Sequence, residues 1–189
     1  MRNLTALAVL GLALTACGSP STSSADPTDQ NGFPIGLVSA AFISARADAH
    51  LTYPGATVLR TRATGESPQS CSLDGCSDHA ADVETLIATQ DSATTVRNWY
   101  QHALGDRGYV CHGGFEASFM YQLDAYHRGS REEFWVGYID PQRYHLTYGV
   151  QLPVGRTILE LDYLIDPSAD AGKGRAGGPC YLDLPSTYP

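Results

Sequence analysis

The stretch from Asp74 to Glu84 concentrates side chains that could bind a cation. It contains three aspartates, a histidine and a glutamate: Asp74, Asp78, His79, Asp82 and Glu84. Carboxylates at such spacing can bind calcium, but the ligand order and the glycine of an EF-hand loop are missing. Cys71 and Cys76 could join His79 around a metal, yet they lack the C-x-x-C pairs of structural zinc sites. The sequence favours a solvated acidic loop without a metal, and the two metal sites remain alternatives.

Two other groups of residues would suit hydrolysis. His112-Gly113-Gly114 is similar to the oxyanion loop of some lipases and esterases, but the chain contains no G-x-S-x-G nucleophile elbow. The adjacent carboxylates Glu132 and Glu133 would point to opposite faces of a strand, so they could not act as a catalytic pair. The sequence therefore assigns no catalytic residue and favours a protein that is not an enzyme.

Aromatic residues are the remaining candidates for ligand contact. Trp135 lies between Phe134 and Val136, and adjacent strand residues point to opposite faces, so Trp135 should share a face with Gly137. A groove on that face could bind a glycan or a peptide, because aromatic side chains supply contact area at low entropic cost. We predict Trp135 and His145 as ligand contacts. The alternative is that Trp135 belongs to the core.

Hydrophobic spacing predicts the helices that would position these residues. The clearest helix runs over residues 92–104, with apolar residues at i, i+3, i+4, i+7 and i+8: Val96, Trp99, Tyr100, Ala103 and Leu104. Asp91 or Ser92 can cap its start, and Gly105 suits its end. A first helix is predicted over Val38–Leu51, and a further short one over Phe119–Arg128.

Strands are predicted where β-forming residues cluster or alternate with polar ones. They cover Thr57–Ala63, Asp82–Thr89, Gly108–His112, Glu133–Ile139, Tyr144–Leu152 and Thr157–Ile165. The links between the last three are short, which favours antiparallel pairing. The predicted fold class is α+β: a mostly antiparallel sheet of about five to six strands, with the helix 92–104 and one or two short helices packed on one face.

Charge excludes some partners. The chain has 12 Lys and Arg against 20 Asp and Glu, and its formal net charge is −8. The acidic residues form no long block, so the charge is a distributed surface property that favours solubility. It argues against nucleic acid and anionic lipid headgroups as partners. No cofactor motif occurs, and no cofactor is expected.

The first 17 residues resemble a bacterial lipoprotein signal peptide. A basic start, Met1-Arg2-Asn3, precedes a short apolar run, and Leu14-Thr15-Ala16-Cys17 matches a lipobox. The apolar run is far shorter than the roughly 20 residues that span a bilayer as a helix. The resemblance implies export, cleavage before Cys17, and acylation of Cys17, which would anchor the chain in the lipid bilayer at the outer face of the bacterial cell membrane. The alternative is an ordinary secretory signal in which Cys17 is incidental.

Three segments follow from this interpretation. Residues 1–16 would be the signal peptide, residues 17–35 the lipidated cysteine and a flexible Ser/Thr/Pro tether, and residues 36–189 a single α+β domain. Residues 18–32 contain no apolar side chain larger than Ala or Pro, so burial could not offset the entropy lost on ordering them.

Export also bears on the remaining cysteines, which would enter an oxidising compartment. Four follow Cys17: Cys71, Cys76, Cys111 and Cys180. An even number favours two disulfides, and three connectivities are possible. We favour Cys71–Cys76, because Asp74-Gly75 is a turn signal between them, and Cys111–Cys180, which would hold the glycine-rich C-terminal segment.

A wider pattern is similar to one found in uncharacterised bacterial lipoproteins. It comprises Tyr53-Pro54-Gly55-Ala56, a later Asp-Ser, and Val96-x-x-Trp99-Tyr100-x-x-x-Leu104-x-x-x-Gly108-Tyr109. The resemblance covers about residues 53–165 and implies an amphipathic helix on a curved antiparallel sheet, with no catalytic assignment. We therefore predict a membrane-anchored binding or interaction module of the cell envelope, with a glycan, peptide or protein partner. The alternatives are an envelope hydrolase or metal-dependent enzyme, and a structural surface antigen.

Overall fold

A computed structural model describes residues 27–30, 32–72, 75–117 and 120–165. Its helices are α1 (Ala40–Ser44), a 3-10 helix (Ala47–His50), α2 (Ala93–Gly105) and α3 (Pro141–Tyr148). Its strands are β1 (Thr57–Thr64), β2 (Ser67–Ser72), β3 (Gly75–His79), β4 (Ala81–Thr89), β5 (Val110–Ala117), β6 (Met120–Arg128), β7 (Glu132–Ile139) and β8 (Thr157–Ile165). Among the described helices, none is long and apolar enough to cross a membrane.

Six strands form one antiparallel sheet in the order β1-β4-β8-β7-β6-β5, and β2 and β3 form a separate hairpin. The α+β class and the antiparallel sheet are confirmed, and β8 has the predicted bounds. The two central pairings, β4 with β8 and β7 with β8, keep continuous register over their lengths. The centre of the sheet is therefore regular enough to hold side chains in fixed rows on both faces.

Each face of the sheet packs its own hydrophobic cluster. Face A is defined by Val83, Ile87, Phe134, Val136, Leu159, Leu161 and Tyr163, which pack with Val96, Tyr100 and Leu104 of α2. Face B is defined by Leu86, Ala88, Leu123, Ile139 and Ile158, which pack with Tyr144 of α3 and with Leu152. The expectation of helices on one face fits α1 and α2, whereas α3 lies on the other face.

Two predicted elements have the wrong type. The predicted helix Phe119–Arg128 falls on β6, whose Asp124 and Gln122 are buried polar residues that hide the strand alternation. The predicted strand Tyr144–Leu152 falls largely on α3. Asp140 caps this helix, Pro141 occupies its first turn, and Gly149 ends it with φ 67°.

One buried ion pair fixes α2 on the sheet. Arg97 Nε donates to Asp124 Oδ2 at 3.0 Å, and Arg97 Nη2 donates to Oδ1 at 3.1 Å. Gln122 Nε2 donates to the same carboxylate. Burial raises the pKa of Asp124, and the charge of Arg97 and the hydrogen bond from Gln122 offset part of that effect. The pair ties the only charged residue on the buried side of α2 to β6.

Residues 27–30 and 32–35, which the sequence assigns to a tether, contact the rest of the fold. Thr28 pairs with Pro34 in a β-bridge, and Phe33 is buried. The guanidinium groups of Arg46 and Arg131 lie over its ring, 5.3 and 5.0 Å from the ring centroid. Such contacts between cations and aromatic rings are attractive. The described chain therefore docks onto the sheet before residue 36.

A charged network continues from this docking point into the sheet. Glu132 at the start of β7 accepts from Arg46 at 3.1 Å, from Arg128 at 2.8 Å and from the Tyr163 hydroxyl at 2.6 Å. Arg128 also pairs with Asp48 at 2.7 Å. Burial opposes ionisation, but the hydrogen bonds from Arg128 and Tyr163 outweigh it and lower the pKa of Glu132. The network joins the N-terminal segment to β6, β7 and β8.

Candidate functional site

A cavity of about 740 Å³ opens at the end of the sheet where β4 and β7 finish and β8 begins. Its apolar lining is formed by Ala93, Ile139, Pro141, Leu152, Pro153, Val154 and Ile158. Its polar lining includes Gln90, Asp91, Ser92, Asp140, Gln142, Arg156 and Thr157. The cavity therefore combines hydrophobic walls with a small set of hydrogen-bonding groups, which is the usual composition of a small-molecule site.

Two helices begin at this cavity because of their capping residues. Ser92 Oγ accepts from the backbone N–H of Thr95 at 3.2 Å, which starts α2 directly after β4. Asp140 Oδ1 accepts from the N–H groups of Gln142 and Arg143, at 2.9 and 3.1 Å, which starts α3 directly after β7. The caps turn the chain away from the strand ends and leave space between the two helices.

The loop from Leu152 to Arg156 closes one side of the cavity. Leu152 is buried in the face B cluster, whereas Val154 is 97% exposed. Gly155 has φ 68°, a left-handed conformation that favours glycine and turns the chain into β8. This turn places Arg156 at the cavity beside the side-chain amide of Gln90. With this amide assigned so that its oxygen faces Arg156, Gln90 Oε1 accepts from Nη1 and Nη2 at 2.8 and 3.1 Å.

The charged groups of the cavity differ in their side-chain partners. Asp91 accepts from the Tyr53 hydroxyl at 2.8 Å. Asp140 caps α3 and lies 3.3 Å from Arg143 Nε. Among the ion pairs of the described residues, none includes Arg156. The side-chain partner described for this guanidinium is the neutral amide of Gln90, so its charge is not compensated there.

An acidic row crosses face B beside α3. The register places Glu84 of β4 opposite Asp162 of β8, and Asp162 opposite Trp135 of β7. Glu160 follows on β8, and Arg60 of β1 hydrogen-bonds Glu84 and lies 4.0 Å from Glu160. Among the described residues, no group of His, Cys, Asp and Glu has the geometry to hold a metal ion.

Burial and the repulsion between neighbouring carboxylates raise the pKa values of two members of this acidic row. Burial, reinforced by the charges of Glu160 and Glu84, raises the pKa of Asp162 to about 8. Burial and the charge of Glu84 raise the pKa of Glu160 to about 7, although Arg60 acts in the opposite direction. The two carboxyl groups of β8 therefore stay largely protonated in mildly acidic solution.

The predicted ligand contacts lie away from the cavity. Trp135 lies on face B, as predicted, where it packs partly buried against the hydrophobic cluster. Its Nε1 donates to Glu133 Oε2 at 2.8 Å. His145 lies on the exposed side of α3, with Nδ1 3.3 Å from the carbonyl oxygen of Val150. Neither residue is among those that line the cavity, so the structure does not bring them into one site with it.

The predicted lipidation and disulfide residues lie partly outside the description. Cys17 and Cys180 fall outside the described residues. Cys71 and Cys76 lie opposite each other in the register of β2 and β3, which is compatible with a bond between them. Cys111 lies in β5 and packs against the face A core. Both pairings, Cys71–Cys76 and Cys111–Cys180, stay predictions.

Sequence reasoning missed the residues that form the cavity. Arg156 is not among the predicted site residues and falls between two predicted strands. Residues 144–152 are predicted as a strand, whereas they form most of α3 and the start of the loop that follows it. One signal was present in the sequence: Asp140-Pro141 is a capping residue followed by proline at the first helical position, and Gly149 suits a helix end.

Comparisons with protein-family models, with curated proteins and with solved structures find no match to this chain. The geometry of the cavity and the N-terminal sequence are therefore the features that bear on function.

Proposed function

We propose that this chain is a lipid-anchored binding protein of the bacterial cell envelope, and that its ligand is a small molecule held in the cavity between α2, α3 and the 152–156 loop. The cavity itself carries the proposal. Its volume of about 740 Å³ lies within the roughly 300–1,000 Å³ of typical small-molecule sites. A single bound molecule could contact the ends of two strands, two helix starts and one loop at the same time.

The sequence supports the proposed location. The lipobox ending at Cys17 would attach the chain to the bilayer, and the polar residues that follow would separate the domain from the membrane surface. The net charge of −8 disfavours adsorption of the domain surface to an anionic membrane, so attachment would depend on the acyl chains and not on the protein surface.

The cavity lining favours binding over hydrolysis. Neither histidine nor cysteine occurs among the described residues that line it. Its serine, Ser92, caps α2 and also hydrogen-bonds the Thr95 hydroxyl at 2.9 Å. A nucleophile needs a neighbouring base that can take its proton. The lining offers no such pair, and a hydrolase in this cavity is the weaker candidate.

A neutral apolar fluorophore tests the proposal directly. We expect N-phenyl-1-naphthylamine to bind the purified protein, with amide chemical-shift changes concentrated at residues 90–93, 139–142 and 152–158. Val154→Ala should weaken binding because it removes apolar contact at the cavity mouth. Leu146→Ala is the matched control, because Leu146 is 84% exposed on α3 but does not line the cavity. Absence of binding, or shift changes located elsewhere, would refute the proposed site.

A further inference from the structure

We propose that the ligand of this cavity is a single-chain amphiphile with an anionic head, whose hydrocarbon chain lies on the apolar wall and whose head pairs with Arg156. This inference rests on the proposed function and specifies the ligand class of the same site. It assigns to Arg156 a role in specificity that is separate from the ability of the cavity to hold an apolar molecule.

The apolar wall is continuous with the face B core. Ile139 and Ile158 are exposed by only 4% and 2%, and Leu152 by 9%, yet all three line the cavity. A hydrocarbon chain lying on them would remove both its own surface and the remaining exposed surface of the wall from water. Burial of apolar surface is favourable by roughly 25 cal/mol per Å². The exposed side chain of Val154 extends this wall to the mouth of the cavity.

The guanidinium of Arg156 favours an anionic head. Asp140 is paired with Arg143 and caps the first turn of α3. Asp91 and Arg156 each have a neutral side-chain partner, the Tyr53 hydroxyl and the Gln90 amide. Of these two charged groups, Arg156 is the one that presents a planar set of N–H donors to a ligand. A carboxylate or phosphate can accept from the guanidinium through two parallel hydrogen bonds, which an amide oxygen cannot match in strength.

The geometry therefore separates two functions within one cavity. Removal of the Arg156 charge should leave the apolar wall intact, because Arg156 is exposed and lies outside the hydrophobic clusters. The Arg156→Gln variant should therefore bind a neutral molecule as tightly as the wild type does and bind an anionic molecule more weakly. Arg62→Gln provides the control, because Arg62 is an exposed arginine of β1 that does not line the cavity.

Displacement of N-phenyl-1-naphthylamine by ten-carbon compounds provides the measurement. Decanoate and decyl phosphate test the two anionic heads that such ligands can carry, and decanol is the neutral equivalent. We expect both anions to displace the fluorophore at lower concentration than decanol does. In Arg156→Gln, the affinity for the better anion should fall about tenfold, which corresponds to about 1.4 kcal/mol. Decanol and the fluorophore should bind this variant as they bind the wild type.

The outcomes separate this inference from the proposed function. If decanol and the anions compete equally, or if Arg156→Gln and Arg62→Gln have the same effect, the anionic head is refuted while an apolar ligand remains supported. If the fluorophore does not bind the wild type at the cavity, the proposed function fails first. A preference for decanoate over decyl phosphate would indicate a fatty-acid type of ligand, and the reverse a lysophospholipid type.

Discussion

Asp162 should make the protein less stable as pH rises, and Asp162→Asn should remove most of that loss. The pKa of this carboxyl is raised from 3.8 to about 8, first by burial and then by the charges of Glu160 and Glu84. Between these two values the folded state keeps a proton that the unfolded state releases. Stability therefore falls with increasing pH across this interval, because the native state binds more protons.

The size of the effect follows from the two pKa values. A difference between 3.8 and about 8 corresponds to at most about 6 kcal/mol in the free energy of unfolding. The Asp162 side chain is only partly buried, so water screens part of this cost. We expect Asp162→Asn to match the wild type near pH 4 and to exceed its unfolding free energy by about 2–3 kcal/mol at pH 9.

Urea unfolding at pH 4, 6, 7.5 and 9 would measure this difference. The transition can be followed by the fluorescence of the two tryptophans, Trp99 of α2 and Trp135, which lies opposite Asp162 on β7. Asp106→Asn is the matched control, because Asp106 is exposed at the end of α2. Its unfolding free energy should follow that of the wild type at each pH. If Asp162→Asn and the wild type give parallel curves from pH 4 to 9, burial of the acidic row is not costly and the reasoning fails.

Two further predictions concern α2 and the membrane. Arg97→Met should reduce the unfolding free energy by about 3–5 kcal/mol, because it leaves the charge of the fully buried Asp124 without its partner. In urea unfolding, the double variant Arg97→Met with Asp124→Leu should recover a large part of this loss. A double variant as unstable as the single one would contradict the ion-pair explanation. Cys17→Ser should move the protein from the detergent-extracted membrane fraction to the soluble fraction, and a variant that stays membrane-bound would exclude acylation of Cys17 as the anchor.

The sheet was predictable wherever one face of a strand is uniformly apolar. In β8, apolar residues recur at every second position, and β7 has no charged side chain from Phe134 to Ile139. Helix α2 carries a single apolar stripe. The bounds of these three elements therefore follow from the sequence within one or two residues. Strand β6 was not predicted because Gln122 and Asp124 interrupt its apolar pattern. Both are buried, and the Asp124 carboxylate accepts hydrogen bonds from Gln122 and from Arg97 of helix α2. Such compensation is a tertiary property that local patterning cannot reveal.

The cavity was less predictable because the sequence of α3 has the alternating apolar pattern of a strand. Tyr144, Leu146 and Tyr148 alternate with polar residues, yet only Tyr144 is buried, whereas Leu146 and Tyr148 are exposed by 84% and 52%. Apolar residues on a solvent-facing helix surface gave the period of two that indicates a strand. The capping signal Asp140-Pro141 was the stronger evidence, because it reflects a local hydrogen bond and not a packing environment.

The docking of Phe33 fixes the place at which the described N-terminal segment joins the domain. Phe33 contacts Arg131, beside the start of β7, whereas the cavity opens beyond Ile139 at the opposite end of the same strand. Seven residue steps at about 3.3 Å each place these two ends about 23 Å apart. In a chain anchored at Cys17, the chain would enter the domain at the start of β7, at the end of this strand opposite the cavity. Exchange of a ligand at the cavity would therefore not require the docked Phe33 to leave its position.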